Sequence, residues 1–260
     1  MLQVTAAQLD AWLAAFMFPI ARLLGLFASA PLWSNRGIPI RVRLAAGLAI
    51  SLAVLPALPD MPPVPTDSWD ALGLLMHQVL IGVAIGFMMR LMFAAVDVAG
   101  EMIGLQMGLS FAIFFSPTTG GQTSVIAEFL GLLALLVFLA LDGHLMLIGA
   151  LVKSFEWLPV GAATAREGWL TIVRHAALMF AAGVMMAMPM VATLLIANIA
   201  LGILTRAAPQ LNLFAVGFPV TLTVGFLVLF LSLNVIGPAL HRLFERGFEG
   251  IDALLRAMAV

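Results

Sequence analysis

The sequence predicts an all-α, polytopic membrane protein built of long helical hairpins, and three observations carry that prediction. Hydrophobic residues make up 63% of the 260 and charged residues only 10%, against about 45–50% and roughly 25% in an ordinary soluble domain. A chain of this composition, with a mean hydropathy of +1.14, has too little polar surface to cover its own core. Charged side chains are absent over 26 residues between Glu101 and Glu128, 31 between Arg174 and Arg206 and 35 between Arg206 and Arg242. A helix needs about 20 apolar residues to cross the hydrocarbon, so each gap holds at least one crossing. These runs are apolar all round rather than alternating as the strands of a porin-like barrel do, and hydrocarbon offers no partner to a bare backbone amide, so the runs are helices.

Taken in order, the apolar runs cover about 10–33, 42–58, 70–96, 98–115, 125–152, 169–205 and 211–244, six or seven crossings in all. A cleaved signal needs a basic start; here the only charge before Ala11 is Asp10, so the run from Ala11 to Trp33 is expected to be retained. The segment Ser34-Asn35-Arg36-Gly37-Ile38-Pro39 reads as a polar turn, followed by Arg41 and Arg43. The connector from Pro56 to Pro65, too proline-rich to be helical, continues into Asp67 and Asp70. Basic loops favour the cytoplasmic side, which puts the arginine loop inside and the N-terminus and the proline-acidic loop outside.

At the C-terminal end, Arg242, Glu245, Arg246, Glu249, Asp252 and Arg256 interleave with an apolar stripe of Leu240, Leu243, Phe244, Phe248, Ile251 and Leu255. Such a stripe reads first as the solvated amphipathic end of the last helix and second as a docking surface for a partner.

Several chemistries are excluded. With 12 Lys+Arg against 13 Asp+Glu the net charge is -1, which leaves no basic face for nucleic acid. There is no cysteine, hence no disulfide or thiolate site. His77, His144, His175 and His241 stand too far apart for a local metal site. No phosphate-loop pattern is present, so neither cofactor nor metal nor catalytic residue is expected. Gly108-Leu109-Ser110-Phe111-Ala112 lacks the final glycine of a nucleophile elbow and no strand precedes it. Ser110 is therefore read as a small residue bonded to its own backbone.

What remains is packing and charge. Gly82 and Gly86 form a GxxxG pair, and Gly100, Gly104 and Gly108 a double one. Small residues let helix backbones approach in lipid, either within this chain or against sister subunits. Arg22, Arg90, Asp97, Glu101, Glu128, Asp142 and Lys153 sit in or beside apolar runs, where each charge is opposed by about 2.5–3.5 kcal/mol on insertion scales. Arg90, Asp97 and Glu101 share one helical face at i, i+7 and i+11. Because Asp97 and Glu101 repel, a cation from another helix or subunit, or an aqueous cavity, must compensate them; a proton-coupled transporter or channel is one way to use such a set, although two related halves are not evident.

The most informative stretch runs from Leu105 to Ser124. Its first half is soft and aromatic (Met107, Phe111, Phe114, Phe115), and its second, Ser116 to Ser124, consists of the turn residues Ser, Thr, Pro, Gly and Gln. At membrane depth such a segment must line a cavity or lie buried in protein, and a Phe/Met-tipped loop there would close a passage by dewetting. On spacing alone a simple extramembrane turn is the plainer reading.

Four signatures in order carry a resemblance: Ala30-Pro31-Leu32-Trp33 with Ile38-Pro39-Ile40-Arg41-Val42-Arg43-Leu44-Ala45 and Pro56; Gly104-Leu105-Gln106-Met107-Gly108-Leu109-Ser110-Phe111 with Pro117; Asp142-Gly143-His144 with Ser154-Phe155 and Pro159; and Ala208-Pro209-Gln210-Leu211-Asn212-Leu213-Phe214-Ala215-Val216-Gly217-Phe218-Pro219 with Gly225. Over nearly its whole length the chain resembles the FliR/SctT family of type III secretion export-gate subunits. The resemblance implies a single-copy, non-enzymatic subunit in the bacterial inner membrane at the flagellar basal body. It implies partnership with FliP and FliQ subunits, contact with the FlhB switch protein and passage of unfolded export substrates. It further implies a FliP-like part over 1–165, and over 166–260 a FliQ-like hairpin, turned at Pro209-Gln210-Leu211-Asn212, with the amphipathic tail. Helices of such a gate can stand well out of the bilayer plane. The family's loop plugs the passage, and the Leu105–Ser124 segment matches its position. That assigns Met107, Phe111, Phe114 and Phe115 to the seal and Pro117, Gly120 and Gly121 to its hinge. The flagellar branch is favoured over the injectisome branch.

Overall fold

A computed structural model of the chain describes residues 6–34, 37–59, 68–109, 113–116, 121–207 and 217–259, with side chains described from residue 12 onward and, around the strands, only up to 109 and again from 124. The chain is an all-α polytopic membrane protein. Its helices are α1 (Ala6–Ser29), α2 (Ile40–Val54, continued by a 3₁₀ turn at Leu55–Ala57), α3 (Trp69–Gln106), α4 (Val125–Ala140), α5 (Gly143–Trp157), α6 (Arg166–Ala207) and α7 (Phe218–Met258). The only strands among the described residues are β1 (Ile113–Ser116) and β2 (Gly121–Ser124), an antiparallel pair.

Among the described residues, five helices are long and apolar enough to cross a membrane, or six if α4 and α5, bent by 65° where they meet, count as one broken span. This corrects the segmentation expected from charge gaps. The run at 70–96 and the run at 98–115 as far as Gln106 form one uninterrupted 38-residue helix, because an exposed Asp97 removes no backbone hydrogen bond and no proline is present. Conversely, the run at 125–152 is broken at Asp142, whose φ of 54° places it in the left-handed region that Asp tolerates better than most residues. Its carbonyl accepts from Leu145 and Met146 N–H at 2.9 and 3.0 Å, which starts α5 in a new direction.

With 38, 42 and 41 residues, α3, α6 and α7 are each about 57–63 Å long at about 1.5 Å per residue, roughly twice the ~30 Å hydrocarbon thickness. Their surplus length ends in polar turns: Asp70 at the start of α3, Arg166 and Glu167 at the start of α6, and Arg242 to Arg256 at the end of α7. Inside α6, which carries Pro189, Thr193 Oγ1 donates back to the Pro189 carbonyl at 2.8 Å.

The chain divides into two compact units, Met1–Leu91 with Asp142–Ala176 and Arg246–Val260, and Met92–Leu141 with Ala177–Glu245. The first unit has a core that includes Phe18, Phe27, Ile85, Met88 and Phe155. Within it the end of α7 is stitched to the connector before α6: Ala165 N–H donates to the Met258 carbonyl at 3.0 Å, and Thr164 and Ala259 form an isolated β-bridge. Ile251, Leu254, Leu255 and Met258 are buried. The tail is thus the amphipathic end of the last helix, with Arg242, Glu245, Arg246 and Glu249 exposed, and its stripe is not left open as a docking face. Its apolar residues are used inside the chain, and Trp157 receives both Lys153 Nζ and Arg256 Cζ at 4.9 Å, with Lys153 also paired to Asp252 at 3.6 Å. The second unit is centred on α3, α4 and α7 through Phe93, Phe138 and Phe244, whose ring centroids lie 5.1–5.5 Å apart.

Candidate functional site: the loop between α3 and α4

The loop is rooted at two points in the second unit. At the outgoing root, α3 ends because Gly108 takes φ +79°, a conformation open to glycine at little strain. Met107 N–H still reaches the Ile103 carbonyl at 2.9 Å, and Gly108 N–H turns to Leu105 at 3.1 Å. Met107 is fully buried. It fills a notch left by Gly225 on α7, where an added Cβ would meet the Met107 methyl at 2.6 Å. Phe218 flanks Gly108.

At the returning root, Ser124 caps α4 by accepting the Ala127 N–H on its hydroxyl at 3.1 Å. Its own N–H donates to Glu101 Oε1 at 3.0 Å, and its hydroxyl lies 3.5 Å from the Gly100 carbonyl as donor. The approach is this close because α3 presents glycines. A Cβ on Gly100 would collide with the Ala127 backbone, and one on Gly104 would stand 3.0 Å from the Ser124 hydroxyl. Between the roots, β1 and β2 pair Ile113 with Ser124, Phe114 with Thr123, Phe115 with Gln122 and Ser116 with Gly121.

The expected seal and hinge residues therefore divide. Met107 is buried in the outgoing root rather than carried on the loop. Phe114 and Phe115 fall on β1 and Gly121 opens β2. Phe111, Pro117 and Gly120 lie outside the described residues, as do Ser110 and the turn at Pro209–Asn212. Gly82 and Gly86 pack within the first unit, against the Arg22 carbonyl and against Ser29 of α1 and Ala30 just after it. Of the charges on α3, Arg90 and Asp97 are exposed and Glu101 is half-buried and engaged with Ser124. Among the described residues, no group of three or more His, Asp or Glu side chains is placed to hold a metal.

Two features escaped the sequence. Ser124 ahead of an apolar run carries the signature of a helix cap, but its bond to Glu101 does not show at a separation of 23 residues. Arg22 was visible as a charge in an apolar run, yet its partners, Gln78 and Ser154, are 56 and 132 residues away.

Comparison with known proteins agrees with this architecture. Residues 13–247 match the family described as bacterial export proteins, family 1. The chain is 44% identical over 250 residues to the flagellar biosynthetic protein FliR of Escherichia coli (strain K12), covering 96% of this chain and 95% of that protein. It is 32% identical over 251 residues to the protein of the same name from Bacillus subtilis (strain 168), covering 95% and 96%. The Aquifex aeolicus (strain VF5) protein, also so named, is 31% identical over 253 residues, covering 95% and 96%.

Proposed function

The chain belongs to the bacterial export proteins, family 1, and on that premise we propose that it is a non-enzymatic subunit of the flagellar type III protein export gate in the bacterial inner membrane. It stands in single copy among FliP and FliQ subunits, contacts the FlhB switch protein, and helps form and plug the channel through which unfolded flagellar proteins are secreted. Residues 1–165 serve as the FliP-like part and 166–260 as the FliQ-like hairpin and tail. The flagellar rather than injectisome assignment is supported by the flagellar names of the relatives above.

One observation carries the reading: the strands Ile113–Ser116 and Gly121–Ser124 lie between two roots, the Met107–Gly225 notch and the Glu101–Ser124 bond. A segment rich in Phe and Gly, held at both ends, can fill a passage at rest and be displaced by an arriving chain without unfolding the helices around it. Phe111, Phe114 and Phe115 supply the apolar seal and Pro117, Gly120 and Gly121 the bend, while closure against ions follows from dewetting of an apolar constriction. Large apolar side chains standing outward, among them Met185, Ile196, Ile203, Phe230 and Val235, support a subunit completed by neighbouring helices and lipid.

Affinity purification of the chain from native membranes tests the assembly. Small apolar subunits are expected to co-purify in excess of this chain, and recovery as a self-sufficient monomer that transports solute after reconstitution overturns the proposal.

A further inference from the structure

The two roots of the loop differ in kind. The outgoing root is apolar: Met107 is enclosed and can leave its notch only by unpacking α7. The returning root is polar and half-exposed, and it hangs on one side chain. Ser124 uses its hydroxyl to cap α4 and to reach the Gly100 carbonyl, so its backbone N–H is held by Glu101. Ser124 is also the register partner of Ile113, so what restrains Ser124 restrains both strands at their base. A hydrogen bond to a carboxylate is about twice as strong as one between neutral groups.

We propose that Glu101 is a positioning residue for the loop. By accepting the Ser124 N–H it holds the base of the β1–β2 ribbon against α3, and this bond is the contact that opens when the loop is displaced. The proposal rests on the plug reading above for its functional consequence, but the tether itself is a property of this chain.

The sequence contains no cysteine, so Thr118→Cys gives a single thiol between the two strands. In the assembled complex in native membranes, the rate of its modification by a membrane-impermeant maleimide is measured together with the leak of small ions. In the Thr118→Cys background, Glu101→Ala is expected to raise the labelling rate about tenfold or more, as loss of one charge-assisted hydrogen bond implies, and to make the gate leak. Glu101→Gln, which keeps an accepting oxygen but loses the charge, is expected to fall between the parent and Glu101→Ala. Unchanged labelling in Glu101→Ala overturns the proposal, and so does Glu101→Gln indistinguishable from Glu101→Ala. If the alanine variant fails to co-purify with its partners, Glu101→Asp is read in its place, since it keeps the charge and shortens the reach; the same outcomes decide. Deletion of residues 116–121, measured alongside, separates the two levels. A deletion that leaks while Glu101→Ala neither leaks nor labels faster removes only the tether. A deletion that does not leak removes the plug reading, and the labelling rates still decide the tether.

Discussion

Arg22 and Gln78 meet with neither side chain reaching solvent: Nε of the guanidinium donates to Oε1 of the amide at 2.8 Å and Nη2 donates to the same oxygen. Nη1 donates to Ser154 Oγ and Nη2 to the Leu158 carbonyl, each at 2.8 Å, while the cation lies 3.7 Å above the Phe155 ring. None of these partners is a carboxylate. The charge is stabilised by dipoles, by the carbonyl end of α5 and by a π face. One side chain of α1 thereby ties together α3 and α5 of the first unit.

Removing that side chain strands three acceptors in a dry site. Arg22→Ala is expected to destabilise the chain by several kcal/mol, at about 1–3 kcal/mol for each buried acceptor left unsatisfied. Arg22→Lys recovers little, because a compact ammonium cannot span the same acceptors. Thermal unfolding in detergent measures this, and an unchanged midpoint for Arg22→Ala would contradict the assignment.

Gln78 Nε2 is buried and finds no acceptor among the described residues. Gln78→Glu replaces that orphan donor with a second oxygen facing the guanidinium. A gain of about 1–3 kcal/mol is expected, the penalty of an unsatisfied buried group, and is read as a higher midpoint in the same assay. A lower midpoint counts against it.

Two glycines on α3 make a matched pair. A Cβ on Gly82 collides with the Arg22 carbonyl, whereas one on Gly73 meets nothing within 4 Å. Gly82→Ala should destabilise by about 1–3 kcal/mol, as overpacking does, and Gly73→Ala should be neutral or stabilise by up to about 1 kcal/mol through helix propensity. Equal effects would show that α1 and α3 are not in backbone contact.

The tail is held by Trp157 between Lys153 and Arg256. Trp157→Ala removes two cation–π contacts of about 0.5–1 kcal/mol each, so trypsin is expected to cut after Arg256 severalfold faster. Mass spectrometry of the released C-terminus reads the rate, and no acceleration would mean that the backbone stitch at Ala165 and Met258 suffices.

The charge-free gaps made the class of the fold legible, because the hydrocarbon dictates both length and helical structure. Helix ends were less legible. Asp97 looked like a boundary but is carried on an exposed face of a continuous helix, whereas the true break at Asp142 depends on a left-handed backbone angle that no composition signal announces. The glycine spacing marked Gly82, Gly100 and Gly104 as points of close approach but not their counterparts, which turned out to be α1 and the start of α4. Met107 was legible as a soft residue beside the loop. Its burial opposite Gly225 was not, since that depends on an α7 notch 118 positions further along.

The central claim is that residues 109–124 keep a passage closed, and ion permeability of membranes holding the assembled complex tests it most directly. With the chain shortened by residues 116–121, or with Phe111, Phe114 and Phe115 all changed to Ala, a leak of small ions is expected in the absence of export. Membranes as tight as those with the intact chain, at equal levels of assembled complex, would contradict it.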